Sequence, residues 1–345
     1  MSQIMHEINQ PNHSLDAFLL KHQLRAPNEA AKWSELTGGV SSDIWRVDLP
    51  GRSLCVKRAL PTLKVAADWF APVNRNSYEW AWLEFAHQYC PDNVPTPLAH
   101  DATMGLFAMC LLEPSTHPVW KGQLLEGVVS PDTARQLGFV LAHIHSSSAG
   151  NADVEADFAT DENFRALRLD PYLIATAEKN PRVAHILMKL VEEIASTKIA
   201  LIHGDVSPKN ILVGPKGPVL LDAECAWYGD PAFDLAFCLN HLFLKCLVRG
   251  DRIKDLSDAI TALSETYLHA VDWESAENLE GRTARLLPAL LLARIDGKSP
   301  VEYLTEQADK ELVRSFALQM LCNPQNTVQA TANAWHVAVT QRDCA

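Results

Sequence analysis

The chain has 345 residues, 48% of them in the apolar set and 21% charged, enough apolar material for a sizeable core and too much for a disordered chain. Thirty Lys and Arg against forty-two Asp and Glu leave a formal charge of −12, which argues against broad nucleic-acid binding and requires a local positive patch or a metal for any phosphate ligand. The eight cysteines include no Cys-x-x-Cys pair and sit mostly in apolar runs, as buried free thiols of a reducing compartment do.

The first thirty residues lack the basic start and unbroken apolar core of a secretory leader, and the apolar stretches 234–248 and 286–295 are interrupted or too short to span a bilayer. The expectation is a cytoplasmic protein with no membrane contact. From residue 36 to about 65 the texture is β. Gly38 and Gly39 form a turn, 44–49 and 53–58 alternate as strands, and Pro50-Gly51 joins them into a hairpin with a glycine-rich lead-in. Residues 76–89 read as a helix, with Tyr78, Trp82, Phe85 and Tyr89 at helical spacing before Cys90-Pro91. A second strand pair is expected at 96–100 and 106–112, and the break at Pro114 to Pro118 places a hinge between a first lobe, 1–113, and a second, 114–345.

Beyond the hinge helices dominate. Ser130-Pro131-Asp132 carries a cap residue and an N1 proline, and a helix over 134–146 follows with Leu137, Leu141 and Ile144 on one face. Short strands at 199–202, 211–213 and 219–221 flank a polar cluster, and helical texture resumes from Pro231 almost to the end. The order predicts an α+β, two-lobed protein about a cleft, with a small β-rich N-terminal lobe and a larger, mainly helical C-terminal lobe.

The polar cluster is where chemistry concentrates. In His203-Gly204-Asp205-Val206-Ser207-Pro208-Lys209-Asn210 a His, an Asp and an Asn share one loop between apolar strands, a costly arrangement unless each polar group has a partner. Asp205 and Asn210, five apart, can converge on one point, the first accepting a proton from a hydroxyl and the second offering a neutral oxygen to Mg²⁺. Asp222, twelve residues past Asn210 and after Val219-Leu220-Leu221, returns a carboxylate to the same place.

These residues carry a resemblance. His203-x-Asp205-x-x-x-x-Asn210 followed by Asp222 resembles the catalytic and metal-binding loops of the protein-kinase-like fold. The His-Gly-Asp form, with Gly229-Asp230-Pro231-Ala232-x-Asp234-Leu235-Ala236 downstream, is similar to the aminoglycoside phosphotransferase family and its choline, methylthioribose and homoserine kinase relatives. The resemblance implies a two-lobed protein-kinase-like fold and transfer of the γ-phosphate of ATP, the co-substrate, to a small-molecule hydroxyl. It makes Asp205 the base and gives Mg²⁺ to Asn210 and Asp222. Lys57 stands on the strand where that family has its phosphate-binding lysine, with Leu54 and Val56 on one side and Cys55 and Lys57 on the other.

Glu79 and Glu84 compete as the helix partner of Lys57, and Arg75-x-x-x-Glu79-x-x-x-Leu83 favours Glu79. Thr37-Gly38-Gly39-Val40-Ser41-Ser42 occupies the nucleotide-loop position, which makes Ser41 and Ser42 phosphate contacts. His203 is expected to brace the loop, Asp234 to cap its helix and anchor the loop backbone, and His145 and His241 to pack in the core. Glu224 stands open between second metal ligand and substrate contact, Lys209 between steering the γ-phosphate and solvation. Arg294 is a substrate-side candidate, and the overall acidity fits a cationic or polyol acceptor. A second reading is a nucleotide-binding pseudokinase or scaffold without transfer activity, against which the presence of Lys57, Asp205, Asn210 and Asp222 weighs. A protein kinase is disfavoured by Gly204 and by the lack of Ala-Pro-Glu after Asp222. Oligomeric state and acceptor identity are not encoded in any motif of the chain.

Overall fold

The computed structural model describes residues 13–36, 42–60 and 75–343. A first helix, α1 (His13–Lys21), precedes a five-stranded antiparallel sheet. Its strands are β1 (Lys32–Glu35), β2 (Ser42–Leu49), β3 (Arg52–Ala59), β4 (Pro97–Asp101) and β5 (Leu106–Cys110), ordered β1-β2-β3-β5-β4. Pro50 and Gly51, the latter at φ 79°, close the β2–β3 hairpin with Leu49 opposite Arg52, the residue pattern of a type II turn. The helix expected from aromatic spacing is α2 (Arg75–Tyr89), inserted between β3 and β4.

Alternation along β3 decides where Lys57 goes. Leu54 and Val56 join Leu15, Phe18, Leu19, Trp45 and Val47 in a small core under α1. Lys57, opposite Phe107 of β5, faces the other way, toward α2. Burying two leucines and a phenylalanine from α1 against this face contributes ~1.5–3 kcal/mol per side chain, so the strand cannot slip one residue without exposing its apolar set and burying Lys57 among leucines.

The second part of the chain is helical. It comprises α3 (Trp120–Glu126), α4 (Pro131–Ser148), α5 (Ala152–Asp157), α6 (Asp161–Phe164), a π-helical stretch Arg165–Ile174, α7 (Ala175–Lys179) and α8 (Ala184–Ser196). After a small β island come α9 (Pro231–Val248), α10 (Ile253–His269), α11 (Ala276–Asp296), α12 (Gln307–Cys322) and α13 (Val328–Asp343). Ser130 caps α4 as expected, its hydroxyl accepting from the Thr133 N–H. Among the described residues α9 alone is long and apolar enough to cross a membrane, and 94% of that stretch is buried by the helices around it.

The island differs from the sequence reading in one respect. β7 (Ile211–Gly214) and β8 (Gly217–Leu220) form the expected hairpin, but β6 (Ala200–Ile202) pairs with a further strand, β9 (Trp227–Gly229), that the texture did not announce. Trp227 and Tyr228 earn no alternation signal because all three β9 residues are buried on both faces. The β6–β9 pair and the β7–β8 hairpin flank the polar cluster, and one large core joins Trp82 and Phe107 of the first lobe to the helices of the second.

Candidate active site

Between β6 and β7 the loop is suspended from α9. Asp234 Oδ2 accepts from the His203 N–H at 2.7 Å and Oδ1 from the Gly204 N–H at 2.8 Å. His145 of α4 backs the carboxylate, Nε2 at 3.2 Å from Oδ2 and Nδ1 at 2.7 Å from the Tyr267 hydroxyl. The anchoring role expected of Asp234 is present, but the cap is Asp230, whose side chain accepts from the Ala232 N–H at 3.0 Å and is held by Arg282. Asp234 lies one turn inside the helix, where its carboxylate reaches outward to the loop.

His203 fixes the loop's other side. Its Nδ1 accepts from the Asp205 N–H at 3.1 Å, so Nε2 carries the proton and donates to the Leu221 carbonyl at 3.0 Å. Burial lowers its pKa despite Asp234, Asp205 and Asp222 nearby, and Trp82 packs edge-on against the ring at 4.8 Å. The imidazole is therefore a neutral strut from the base loop to the residue before Asp222.

Gly204 is required here. Its φ is 74°, and a Cβ would stand 2.4 Å from the Cys225 carbonyl oxygen. An arginine at this position does not fit, and a guanidinium reaches Asp205 from elsewhere. Arg168, in the π-helical stretch, donates through Nη2 to Asp205 Oδ2 at 2.9 Å and through Nε to the Gly204 carbonyl at 2.5 Å. Nothing in the sequence pattern singled out Arg168; its partner is 37 positions away and the segment carries no motif.

Asp205 is buried, and among the described residues all its side-chain donors fall on one oxygen. Oδ2 takes Arg168, Asn210 Nδ2 at 2.9 Å and Lys209 Nζ at 3.2 Å. Burial by itself raises the pKa of Asp205, but Arg168 and Lys209 outweigh it, and the group is held below the ordinary carboxylate value. Lys209 is half-exposed and kept charged mainly by Asp205.

Asp222 leaves β8 at φ 69°, a left-handed conformation that costs a non-glycine residue ~1–2 kcal/mol and aims the side chain out of strand register. That turn is why Glu224, two residues on, does not follow it. Glu224 is paired with Arg75 Nε of α2 at 3.0 Å. Pairing of Ile211 with Leu220 and the Leu221 N–H bond to the Asn210 carbonyl at 2.9 Å set Asn210 and Asp222 side by side at the end of the β7–β8 hairpin.

Lys57 closes the cleft from the first lobe. Its ammonium is buried, donates to Glu79 Oε1 at 2.7 Å and bonds Asp222 Oδ1. Burial opposes its charge, but Asp222 and Glu79 hold its pKa above the lysine norm. Burial pushes Glu79 up to about 7 against the pull of Lys57, because one ammonium serves two carboxylates and the more enclosed of them is the weaker acid. Asp222, with 26% of its side chain exposed, goes the other way: burial would raise it, and Lys57 and Lys209 bring it below the usual range. Ser42 is buried at the head of β2 opposite Ala59, and Ser41 lies outside the described residues.

Among the described residues no group of three or more His, Cys, Asp or Glu side chains is placed to hold a metal. The donors fit Mg²⁺ in another way. One ionised carboxylate and one neutral amide oxygen suit a hard cation that keeps waters and takes its remaining ligands from phosphates.

Comparison with known proteins follows this geometry. The sequence profile of the phosphotransferase enzyme family matches residues 32–266. Methylthioribose kinase of Cronobacter sakazakii is 27% identical over 269 residues, 68% of this chain and 66% of that enzyme, so the chain matches just under two thirds of its length. The Yersinia pseudotuberculosis methylthioribose kinase is 28% identical over 312 residues, 77% of this chain and 75% of that one. In fold, a macrolide 2'-phosphotransferase from Brachybacterium faecium matches with a TM-score of 0.50 at 18% identity, covering 89% of this chain and 98% of its own. An aminoglycoside phosphotransferase from Alicyclobacillus acidocaldarius matches with a TM-score of 0.50 at 14% identity over 91% and 92%. With its small antiparallel sheet, its helical second lobe and a profile match over most of its length, the chain belongs to the phosphotransferase enzyme family and is a kinase by class.

Proposed function

We propose that the protein transfers the γ-phosphate of ATP to a hydroxyl of a small molecule, with Asp205 as the proton acceptor. The observation that carries this reading is the one-sided engagement of Asp205: three donors converge on Oδ2, which leaves Oδ1 as the edge that meets the acceptor hydroxyl. An ionised carboxylate held in this way contributes ~10²–10⁴ in rate as a general base. Lys57, steadied by Glu79, takes phosphate oxygens of the nucleotide, with Ser41 and Ser42 as further candidate phosphate contacts. Asn210 and Asp222 hold Mg²⁺, which when bound neutralises charge on the phosphates. Lys209, beside Asp205 and half-exposed, stands where a γ-phosphate would pass.

The first lobe, 1–113, carries nucleotide contacts in this reading, and the second, 114–345, carries the base and the acceptor. The seven described cysteines are all free thiols, which suits a cytoplasmic site of action. The names of the curated relatives make 5-methylthioribose the first acceptor to assay. The test is transfer of labelled γ-phosphate from Mg·ATP to a pool of small hydroxyl compounds. Product is expected with the natural protein and none with Asp205→Ala. Tight Mg·ATP binding without transfer to any small molecule would favour the pseudokinase reading.

A further inference from the structure

The chain carries twelve more acids than bases, yet cationic side chains of α9 and α11 gather beyond Asp205. Arg168 and Arg294 flank the same Tyr172 ring, with guanidinium carbons 5.7 and 5.5 Å from its centroid. Arg294 of α11 therefore shares the Tyr172 ring with the guanidinium that holds the base. It is buried, its Nη1 donates to the Tyr172 hydroxyl at 2.9 Å and to Ser299 Oγ at 3.1 Å, and its Nε has no partner. On the neighbouring α9, Lys245 is buried with its ammonium 3.2 Å from the centre of the Tyr303 ring, and the Tyr303 hydroxyl is also buried without a partner. His241, one turn before Lys245, feels Arg294, Lys245, Lys209 and Lys121 as well as its own burial, and all of these keep it neutral.

The local carboxylates are already committed. Asp205 serves Arg168 and Lys209, and Glu302 serves Lys121. Among the described residues neither Arg294 nor Lys245 has a carboxylate within ion-pair distance. A buried charge without a counter-charge is one of the costliest features a fold can keep. Arg294 and Lys245 lie within electrostatic reach of each other, and together with the unmatched Arg294 Nε and Tyr303 hydroxyl they make sense when an anion completes the set.

We propose that the phosphate acceptor is itself an anion, a hydroxy compound whose carboxylate or phosphate monoester sits between Arg294 and Lys245 while its hydroxyl faces Asp205. This rests on the kinase reading for the role of Asp205 and replaces the cationic or polyol acceptor that overall acidity suggested. Burial and the neighbouring Lys121 bring the Lys245 pKa down to about 7, with Glu302 pulling the other way and Arg294 adding a smaller depression. The anion then restores the charge that the empty wall disfavours, and its affinity falls as pH rises through that value.

The experiment is calorimetry on the full chain, with and without Mg·ADP. Gluconate is compared with glucitol, ribose 5-phosphate with ribose, and 5-methylthioribose serves as a further neutral sugar. In one of the two arms the charged member should bind at least tenfold tighter than its neutral partner, which also tells carboxylate from phosphate. Arg294→Gln and Lys245→Met should each remove that advantage and leave Mg·ADP affinity within twofold. Lys245→Met should melt no lower than the natural protein, since it loses an unpaired buried ammonium; a purely structural lysine would give a lower melting temperature. Tyr303→Phe, which deletes only a hydroxyl, should weaken the same arm several-fold. The proposal is overturned if neutral members bind as well as charged ones, if no charged member binds, or if the variants keep the preference. Failure to bind Mg·ADP would strike the kinase reading instead, because the anion arms are read without nucleotide as well.

Discussion

Replacing Arg168 by methionine isolates the electrostatics of the base. The substitution keeps a long apolar stem against Tyr172 and Phe237 but removes the guanidinium 2.9 Å from Asp205 Oδ2. Stripping one partner from a buried ion pair typically costs ~3–5 kcal/mol. Asn210 and Lys209 stay on the same oxygen, so the lower end applies, about 3 kcal/mol at neutral pH. Loss of the donor to the Gly204 carbonyl adds ~1 kcal/mol with no pH dependence. For a unit of this size the combined ~4 kcal/mol corresponds to a fall in Tm of about 8–16 °C. In the natural protein Asp205 has a depressed pKa, so its contribution is in full force above the unfolded carboxylate value near 4 and disappears only as pH falls below it. In the variant burial dominates, the folded-state pKa rises, and the penalty grows as pH increases from about 4 toward 7. Thermal melts of both proteins between pH 4.5 and 8 should show a gap that widens with pH, and Asp205→Asn in the variant background should close most of it. A gap below about 1 kcal/mol, or one constant across that range, refutes the assignment of Arg168 as the counter-charge of the base.

Two further perturbations probe the loop. Gly204→Ala places a Cβ 2.4 Å from the Cys225 carbonyl oxygen at φ 74°, and should cost ~2–4 kcal/mol by denaturant unfolding with an unchanged m-value. An alanine variant of near-natural stability would mean that the backbone there is free to relax. Asp234→Asn keeps the volume but supplies one acceptor in place of two, leaving either the His203 or the Gly204 N–H unmet at ~1–3 kcal/mol. Once an acceptor is in hand, kcat should fall more than KM for ATP changes; equal changes would contradict a positioning role for α9.

Much of this site was legible because its parts are close in sequence or lie on regular elements. The five-residue step from Asp205 to Asn210 and the hairpin that returns Asp222 are local, and strand alternation told which face Lys57 takes. A helix facing a cleft on one side lets only one of Glu79 and Glu84 reach it, the family-like pattern Arg75-x-x-x-Glu79-x-x-x-Leu83 favours Glu79, and the structure gives Glu79 the Lys57 contact at 2.7 Å. What escaped is tertiary. Arg168 sits on irregular helix with Pro171 inside it, and no spacing rule connects it to Asp205. β9 is three residues long, too short for a period to register. The ion pair of Glu224 with Arg75 gave no sequence signal because Arg75 is on a helix in the other lobe. Arg294 stands out at a polar helix exit, but Lys245 gives no such signal: net charge sums over a surface, whereas both side chains are buried and lie 49 positions apart, on α11 and α9.

The most direct test of the account is whether Mg²⁺ strengthens ADP binding through Asp222. Titrating ADP into the natural protein with Mg²⁺ and with chelator should give a clear metal-dependent gain in affinity. Asp222→Asn, which keeps the shape and a bond to Lys57 but discards the charge, should lose most of that gain. An Asp222→Asn protein that binds ADP with undiminished metal dependence would contradict the site as described.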